Sequence, residues 1–324
     1  MSSRLVAQVP MERGPYALKA KQNLVFATER DRIFVVDVSN PQAPVQKAVI
    51  EMLDHDPEFR SLAVGENLLF AGSVAVGGKE PGVFVFDISH PESPKLLGHW
   101  DDGGTVVHGL FWNGQTLFVS GSDASHGRLL TMELRDNALQ RVGLFQSDAD
   151  KGYGRLWVHR DRAFLPEATG GLRVVDVSDP SKPRPGAFIR VQGQAGHEAA
   201  AKQLVVHDNT LFMANWGAGM ACFDVSEPDN PKHISTLGHK HIPSGASVYS
   251  VAVQGSKAYL ANGWGCLTEV DVSDPARPRV LREFKFQHTY YLDLALLQNH
   301  AVCADKGGFT NKPGLDIVAV ANGA

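Results

Sequence analysis

Apolar and polar residues alternate with period two in short runs, and each run is broken by a cluster of Gly, Asn, Asp, Ser or Pro. One recurrent piece is a pair of such runs around a polar turn: SLAVGENLLFAG from Ser61, GLFWNGQTLFVS from Gly109, LVVHDNTLFMAN from Leu204 and VAVQGSKAYLAN from Val251. Alternation on both sides of an Asn/Gly/Asp turn predicts two antiparallel strands joined by a hairpin. A second piece follows: IFVVDVSNP from Ile33, VFVFDISHP from Val83, LRVVDVSDP from Leu172, MACFDVSEP from Met220 and LTEVDVSDP from Leu267. It predicts a third strand stopped by its D-V-S-x-P end, because proline cannot continue a ladder and Asp and Ser side chains can bond turn amides. A fourth strand then comes from PVQKAVI, PKLLGHW, LQRVGLF, PRPGAFIRV, PKHISTL and PRVLREF.

The period decides the architecture. Asp37, Asp87, Asp176, Asp224 and Asp271 are separated by 50, 89, 48 and 47 residues. A degenerate copy, GRLLTMEL from Gly127, fills the double interval, and a last copy, GLDIVAV from Gly314, has Ala319 in place of the aspartate. That makes seven units, none of which can bury its own face without a neighbour. The expected fold is all-β, a seven-bladed β-propeller with four-stranded blades that takes up residues 1–324 as one domain. Only six fourth strands follow their blades. The seventh is expected at the other end of the chain, where Ser3 to Val9 reads as an outer strand that completes the last blade, closes the ring and removes free sheet edges.

Composition adds exclusions. A hydrophobic content of 43 % with 32 glycines and 18 prolines suits short strands and tight turns, and no apolar run approaches the roughly 20 residues of a membrane span. The start, MSSRLVAQVPMERG, lacks the apolar core of a secretory signal. Cys222, Cys266 and Cys303 are an odd set in strand runs, read as buried free thiols. Together these predict a cytoplasmic protein with no membrane partner. A net charge of −4 with 31 evenly spread basic residues argues against nucleic acid.

The strand phrases resemble those of the LVIVD-repeat proteins, a prokaryotic propeller family named for the third-strand motif, over essentially the whole chain. The resemblance implies the propeller fold and assigns no chemistry.

Candidate chemistry comes from the geometry of a propeller, in which the starts of the innermost strands converge on a central channel. The residue two before the first apolar anchor of each inner strand is Tyr16, Arg60, His108, Gly154, Lys202, Tyr249 and Asp293, with Tyr153 and Arg155 flanking the glycine. Such groups converging on one cavity perturb one another's pKa values, as functional sites do; simple solvation at the channel entrance is the plainer alternative. Loops facing the same mouth add Trp216 and Trp264, read as an aromatic wall or as packing between blades. His55, His197 and His288 each stand seven residues before an anchor, a placement that would let a divalent metal be held by imidazoles from separate blades.

The expectation is an enzyme acting on a small anionic or carbonyl-containing molecule at the channel mouth. Tyr16, Arg60, Arg155, Lys202, Trp216 and Trp264 bind the substrate, and His108, Tyr249, Tyr153 and Asp293 move or assist the proton in lyase, isomerase or hydrolase chemistry. Two alternatives stay open: a non-enzymatic propeller that docks another protein, and a metal-dependent oxidoreductase using the loop histidines.

Overall fold

In the computed structural model the described residues are 5–74, 77–147, 152–191, 200–242, 247–308 and 312–320, the side chains of residues 265, 287 and 288 excepted. Seven four-stranded antiparallel blades form a closed ring. Blade 1 is typical, with Leu18–Lys21 innermost, then Leu24–Glu29, Arg32–Asp37 and, at the rim, Val45–Glu51. The third strands of five blades end on the repeated aspartate. Its Oδ1 accepts a bond from the amide two residues on: Ser39 at 2.8 Å from Asp37, Ser89 at 2.8 Å from Asp87, Ser178 at 3.0 Å from Asp176, Ser226 at 2.8 Å from Asp224 and Ser273 at 3.0 Å from Asp271. The motif therefore repeats because the chain must leave the ladder at that point and needs an acceptor for the freed amide.

The core is divided among the blades. Among the described residues seven buried apolar clusters occur, each shared by two neighbouring blades; one joins Phe26, Ile33 and Val35 of blade 1 to Leu62, Leu69 and Phe84 of blade 2. The cluster between blades 7 and 1 carries Val302, Leu315 and Ile317 against Leu18, Val25 and Val36. No blade has a core of its own, so each is stable only as part of the ring.

Closure occurs as the missing fourth strand predicts. Leu5–Pro10 pairs antiparallel with Gly314–Ala319, and Gln8 Nε2 donates to Asp316 Oδ1 at 2.8 Å. Blades 6 and 7 are also joined by one continuous strand, Arg279–Leu297, which is the rim of the first and the inner strand of the second. Among the described residues no helix is long and apolar enough to cross a membrane, and Cys222, Cys266 and Cys303 are buried free thiols. Burial pushes the Cys222 thiol up to about 11.

The antiparallel order puts the hairpin turns and the D-V-S-x-P turns on one face. The connections between second and third strands, and those from one blade's rim to the next blade's inner strand, lie on the other. The starts of the inner strands stand on that second face.

Candidate functional site

Each inner strand enters the sheet through a bulge. In blade 2 Phe59 faces Ser73 and Ser61 faces Gly72, so Arg60 has no partner; His108 in blade 3, Tyr249 in blade 6 and Leu292 in blade 7 are skipped in the same way. In blades 1 and 5 two successive residues share one partner, Tyr16 and Ala17 against Thr28, and Lys202 and Gln203 against Ala214. A bulge releases a residue from the ladder and re-aims its side chain, here toward a shared cavity. One cavity of about 270 Å³ is lined by Tyr16, Arg60, His108, Lys202, Tyr249 and Leu292, together with Tyr153, Gly154 and Arg155 of blade 4.

Blade 7 departs from the sequence alignment by one residue. The residue opposite Cys303, equivalent to Leu62, Leu110 and Val251, is Leu294 rather than Ala295. The run Tyr291-Leu292-Asp293-Leu294-Ala295-Leu296 is apolar on both faces, so alternation does not fix its register, and a slip of one residue exchanges what faces the channel. Leu292 thus occupies the upper ring, and Asp293 falls in a second ring one residue deeper with Ser61, Arg155, Gln203 and Ser250.

That deeper ring is a brace. Asp293, buried, meets Arg155 at 2.7 Å and accepts bonds from the Leu18 amide at 3.0 Å and Ser250 Oγ at 2.8 Å. Arg155 also donates to the Tyr16 carbonyl at 3.2 Å, and Gln203 Oε1 receives the Val251 amide at 2.8 Å. The carboxylate expected to assist His108 instead has its contacts within this layer, because its oxygens complete the bonds of blades 1, 4, 6 and 7 at once. Below the brace a cavity of about 200 Å³ is lined by Lys19, Trp112, Trp157, Arg155 and Asp293 among others. Burial holds the Lys19 ammonium below its ordinary pKa, against the nearby Asp293 charge and with the help of Arg155.

Above the brace the groups are free to meet a ligand. Arg60 stacks 4.6 Å over the Tyr16 ring and pairs with Glu58, its Nε donating to Oε1 at 2.9 Å. Lys202 has its ammonium 6.0 Å from the Trp216 ring and, among the described residues, no ion pair. His108 lies between these cations and is pushed down to about 4, first by burial and then by Arg60 and Lys202, so it is neutral at physiological pH. Tyr153 lines the cavity with its ring, but its hydroxyl bonds Ser147 and the ring packs with Phe118, Phe145 and Leu156. Glycine at 154 reflects close packing: a Cβ there would stand 2.4 Å from the Lys202 carbonyl oxygen.

Trp216 and Trp264 are linked to each other through a pair of tyrosines. Trp216 Nε1 donates to Tyr249 Oη at 3.1 Å, Tyr249 and Tyr290 hydroxyls are 2.6 Å apart, and the Trp264 ring stands edge-on to Tyr290 at 4.8 Å. Burial and the Tyr249 bond raise the Tyr290 pKa. Gly263 permits this stack, since a Cβ there would lie 2.9 Å from the Tyr249 ring. An outer vestibule of about 580 Å³ is lined by Arg13, Arg30, Arg60, Glu58, Lys306 and this tyrosine pair. Tyr290 and Glu58 escaped sequence reasoning, although each lies within three residues of a position that it singled out.

Of the three histidines, His197 and the His288 side chain lie outside the described residues. His55 sits with Glu80 and His99 at the outer part of blade 2.

The repeating third strands and the ring geometry meet their counterparts among known proteins. The LVIVD repeat matches residues 26–50, 154–184 and 245–284. The chain carries LVIVD repeats. No curated protein matches it. Among solved structures, the LVIVD-repeat chain is similar to U3-55K (TM-score 0.76, 11 % identity, 96 % of this chain and 97 % of that one). It is also similar to the WD40 repeats of RRP9 (TM-score 0.75, 11 %, 96 % of each) and to Sqt1 of Saccharomyces cerevisiae (TM-score 0.65, 12 %, 98 % and 89 %). At such identity these likenesses extend to the fold and no further.

Proposed function

We propose that this LVIVD-repeat propeller binds a small organic anion at the channel mouth and carries out proton transfer on it through His108. The observation that carries this reading is the Lys202 ammonium, without an ion pair among the described residues, opposite Arg60 across a cavity that Tyr16, Tyr153, Arg155, Tyr249, Leu292 and a neutral, desolvated His108 also line. A carboxylate or phosphate ester entering there meets two cationic donors in a partly water-excluded space, where each charge-assisted bond is stronger than in water. The vestibule adds Arg13, Arg30 and Lys306 against Glu58, a field that draws anions inward.

The same charges set the chemistry. In the free protein Arg60 and Lys202 help to keep His108 a weak base. A bound anion offsets their field, so His108 gains basicity when the ligand arrives, and can then accept a proton from a carbon or hydroxyl of that ligand. The Tyr249–Tyr290 pair, with a raised Tyr290 pKa, supplies a hydroxyl donor on the opposite side. This order of events fits lyase or isomerase chemistry.

A docking role is the second reading, favoured by the WD40 repeats of a similar structure. Against it, six of the eight exposed large apolar side chains among the described residues, Leu5, Val45, Leu96, Phe188, Ile234 and Leu281, are spread one to a blade over rim strands, which leaves Leu53 and Trp264 on the face of the connections. The test is a thermal-shift screen of the full chain against carboxylates and phosphate esters, repeated with Lys202→Ala and Arg60→Ala. At least one anion should raise Tm in the wild type, and each variant should weaken its binding about tenfold or more, the loss of a charge-assisted contact. Without ligand Lys202→Ala should stay within about 0.5 kcal/mol of wild-type stability. No stabilising anion, or one whose effect survives both substitutions, removes the proposal.

A further inference from the structure

Blade 2 holds a second group of potential ligands that the channel does not use. His55 stands in the connection from blade 1, Glu80 between the second and third strands of blade 2, and His99 on its rim strand Lys95–Trp100. His55 Nδ1 is 2.9 Å from Glu80 Oε2, His99 Nδ1 is 3.1 Å from Glu80 Oε1, and one donor atom from each of the three residues lies within 4.8 Å of the others.

The tautomer of His99 is informative. Its Nε2 is 2.8 Å from the Pro81 carbonyl oxygen, which can only accept, so the proton sits on Nε2. Its other nitrogen, Nδ1, faces a carboxylate oxygen of Glu80, so a proton or a cation belongs between the two. Two electron-rich atoms at that distance repel unless a positive charge lies between them. An imidazole whose far N–H is fixed by a backbone carbonyl and whose near nitrogen faces a carboxylate and a second imidazole is the arrangement that orients metal ligands.

The surroundings hold these groups in place. The His99 ring stacks on Phe84 at 4.1 Å, with His55 edge-on to the same phenyl at 5.3 Å. Gly82 has a φ of +112° and leaves room for the ring, since a Cβ there would meet His99 Nε2 at 2.9 Å and the Trp100 carbonyl oxygen at 2.1 Å. Glu80 is anchored through its backbone, its amide donating to the Asp56 carbonyl at 2.9 Å and its carbonyl accepting from Ser73 Oγ at 2.6 Å.

We propose that His55, Glu80 and His99 form a binding site for a first-row divalent transition metal such as zinc. Two imidazoles and one carboxylate match the borderline character of these ions, and three protein ligands leave a position for water or a small ligand. The site is separate from the cationic cavity, yet Ser73 ties the two: its Oγ accepts the Glu58 amide at 2.8 Å, and Glu58 pairs with Arg60. The group differs from the one expected from spacing, because His55 finds its partners within blade 2.

Untagged, chelator-treated full chain is titrated with Zn²⁺ by calorimetry and with Co²⁺ by visible absorption. One equivalent of Zn²⁺ should bind, Co²⁺ should develop ligand-field bands, and His55→Gln and Glu80→Gln should each weaken Zn²⁺ binding about tenfold or more. His55 is on a connection, so His55→Gln leaves the strands intact, which circular dichroism verifies. The double variant H197Q/H288Q should bind as the wild type does. Absence of saturable Zn²⁺ binding overturns the proposal. So does binding that survives both His55→Gln and Glu80→Gln, or that is lost only in H197Q/H288Q.

Discussion

At the scale of single residues, two titratable groups partly or wholly withdrawn from water pull the stability of the protein in opposite directions as pH changes. His108 falls to about 4 in the folded chain from an ordinary 6.5, with burial the main cause. On acidification the unfolded chain takes up that proton first, so stability present above pH 6.5 is lost as pH falls toward 4, by up to roughly 3 kcal/mol. Asp316 behaves in reverse. Burial raises it from 3.8 to about 6, against the bonds from Tyr291 and Gln8, so the folded chain protonates first and is relieved of a cost of roughly 3 kcal/mol as pH falls from 6 to 4. These two contributions nearly cancel in the wild type. His108→Gln should therefore gain stability relative to wild type as pH drops from 6.5 to 4.5. Asp316→Asn should be the more stable at pH 7.5 and lose that advantage by pH 4.5. Urea unfolding midpoints at the two pH values read both signs.

At the scale of elements, the bulge at the start of each inner strand and the N-terminal strand carry most of the consequence. The bulge lets Arg60, His108 and Tyr249 leave the ladder without unmaking the hairpin behind them. The N-terminal strand supplies the backbone partners of Gly314–Ala319, Gln8 for Asp316, and Val9 and Met11 in the cluster between blades 7 and 1. Deleting residues 3–9 should expose that edge and cost about 4 kcal/mol or more, in the range of cavity and network losses, seen as a large fall in Tm. A truncated chain that melts with the full one would mean that closure rests on the blade contacts alone. Both strand and bulge were unequally legible beforehand. The missing fourth strand was a matter of counting. The bulge in blade 7 was hidden, because Leu292, Leu294 and Leu296 alternate with Asp293 and Ala295 and both registers bury apolar groups.

At the scale of the whole molecule, the Arg155–Asp293 pair reaches from blade 4 to blade 7, and Arg155 lines both the cavity of about 200 Å³ and that of about 270 Å³. Arg155→Ala leaves a buried carboxylate without its partner and should cost about 3–5 kcal/mol, whereas the apolar pair R155M/D293L should cost less than the single change. Equilibrium denaturation of the three proteins measures this; equal losses would make the pair an independent contribution rather than a brace. The sequence alone determined the repeat: seven units, four strands each, a break at every D-V-S-x-P and an outer strand displaced to the N-terminus. These are local facts, set by alternation and by proline, and each copy states them again. Only the tertiary structure decided which side chains share a space. That Asp293 braces Arg155 instead of serving His108, that Lys202 lacks an ion pair among the described residues while Arg60 has Glu58, and that His55 meets Glu80 and His99 depend on distances between strands far apart in the chain. Those distances follow from register and ring curvature, which a pattern of period two leaves open by one residue.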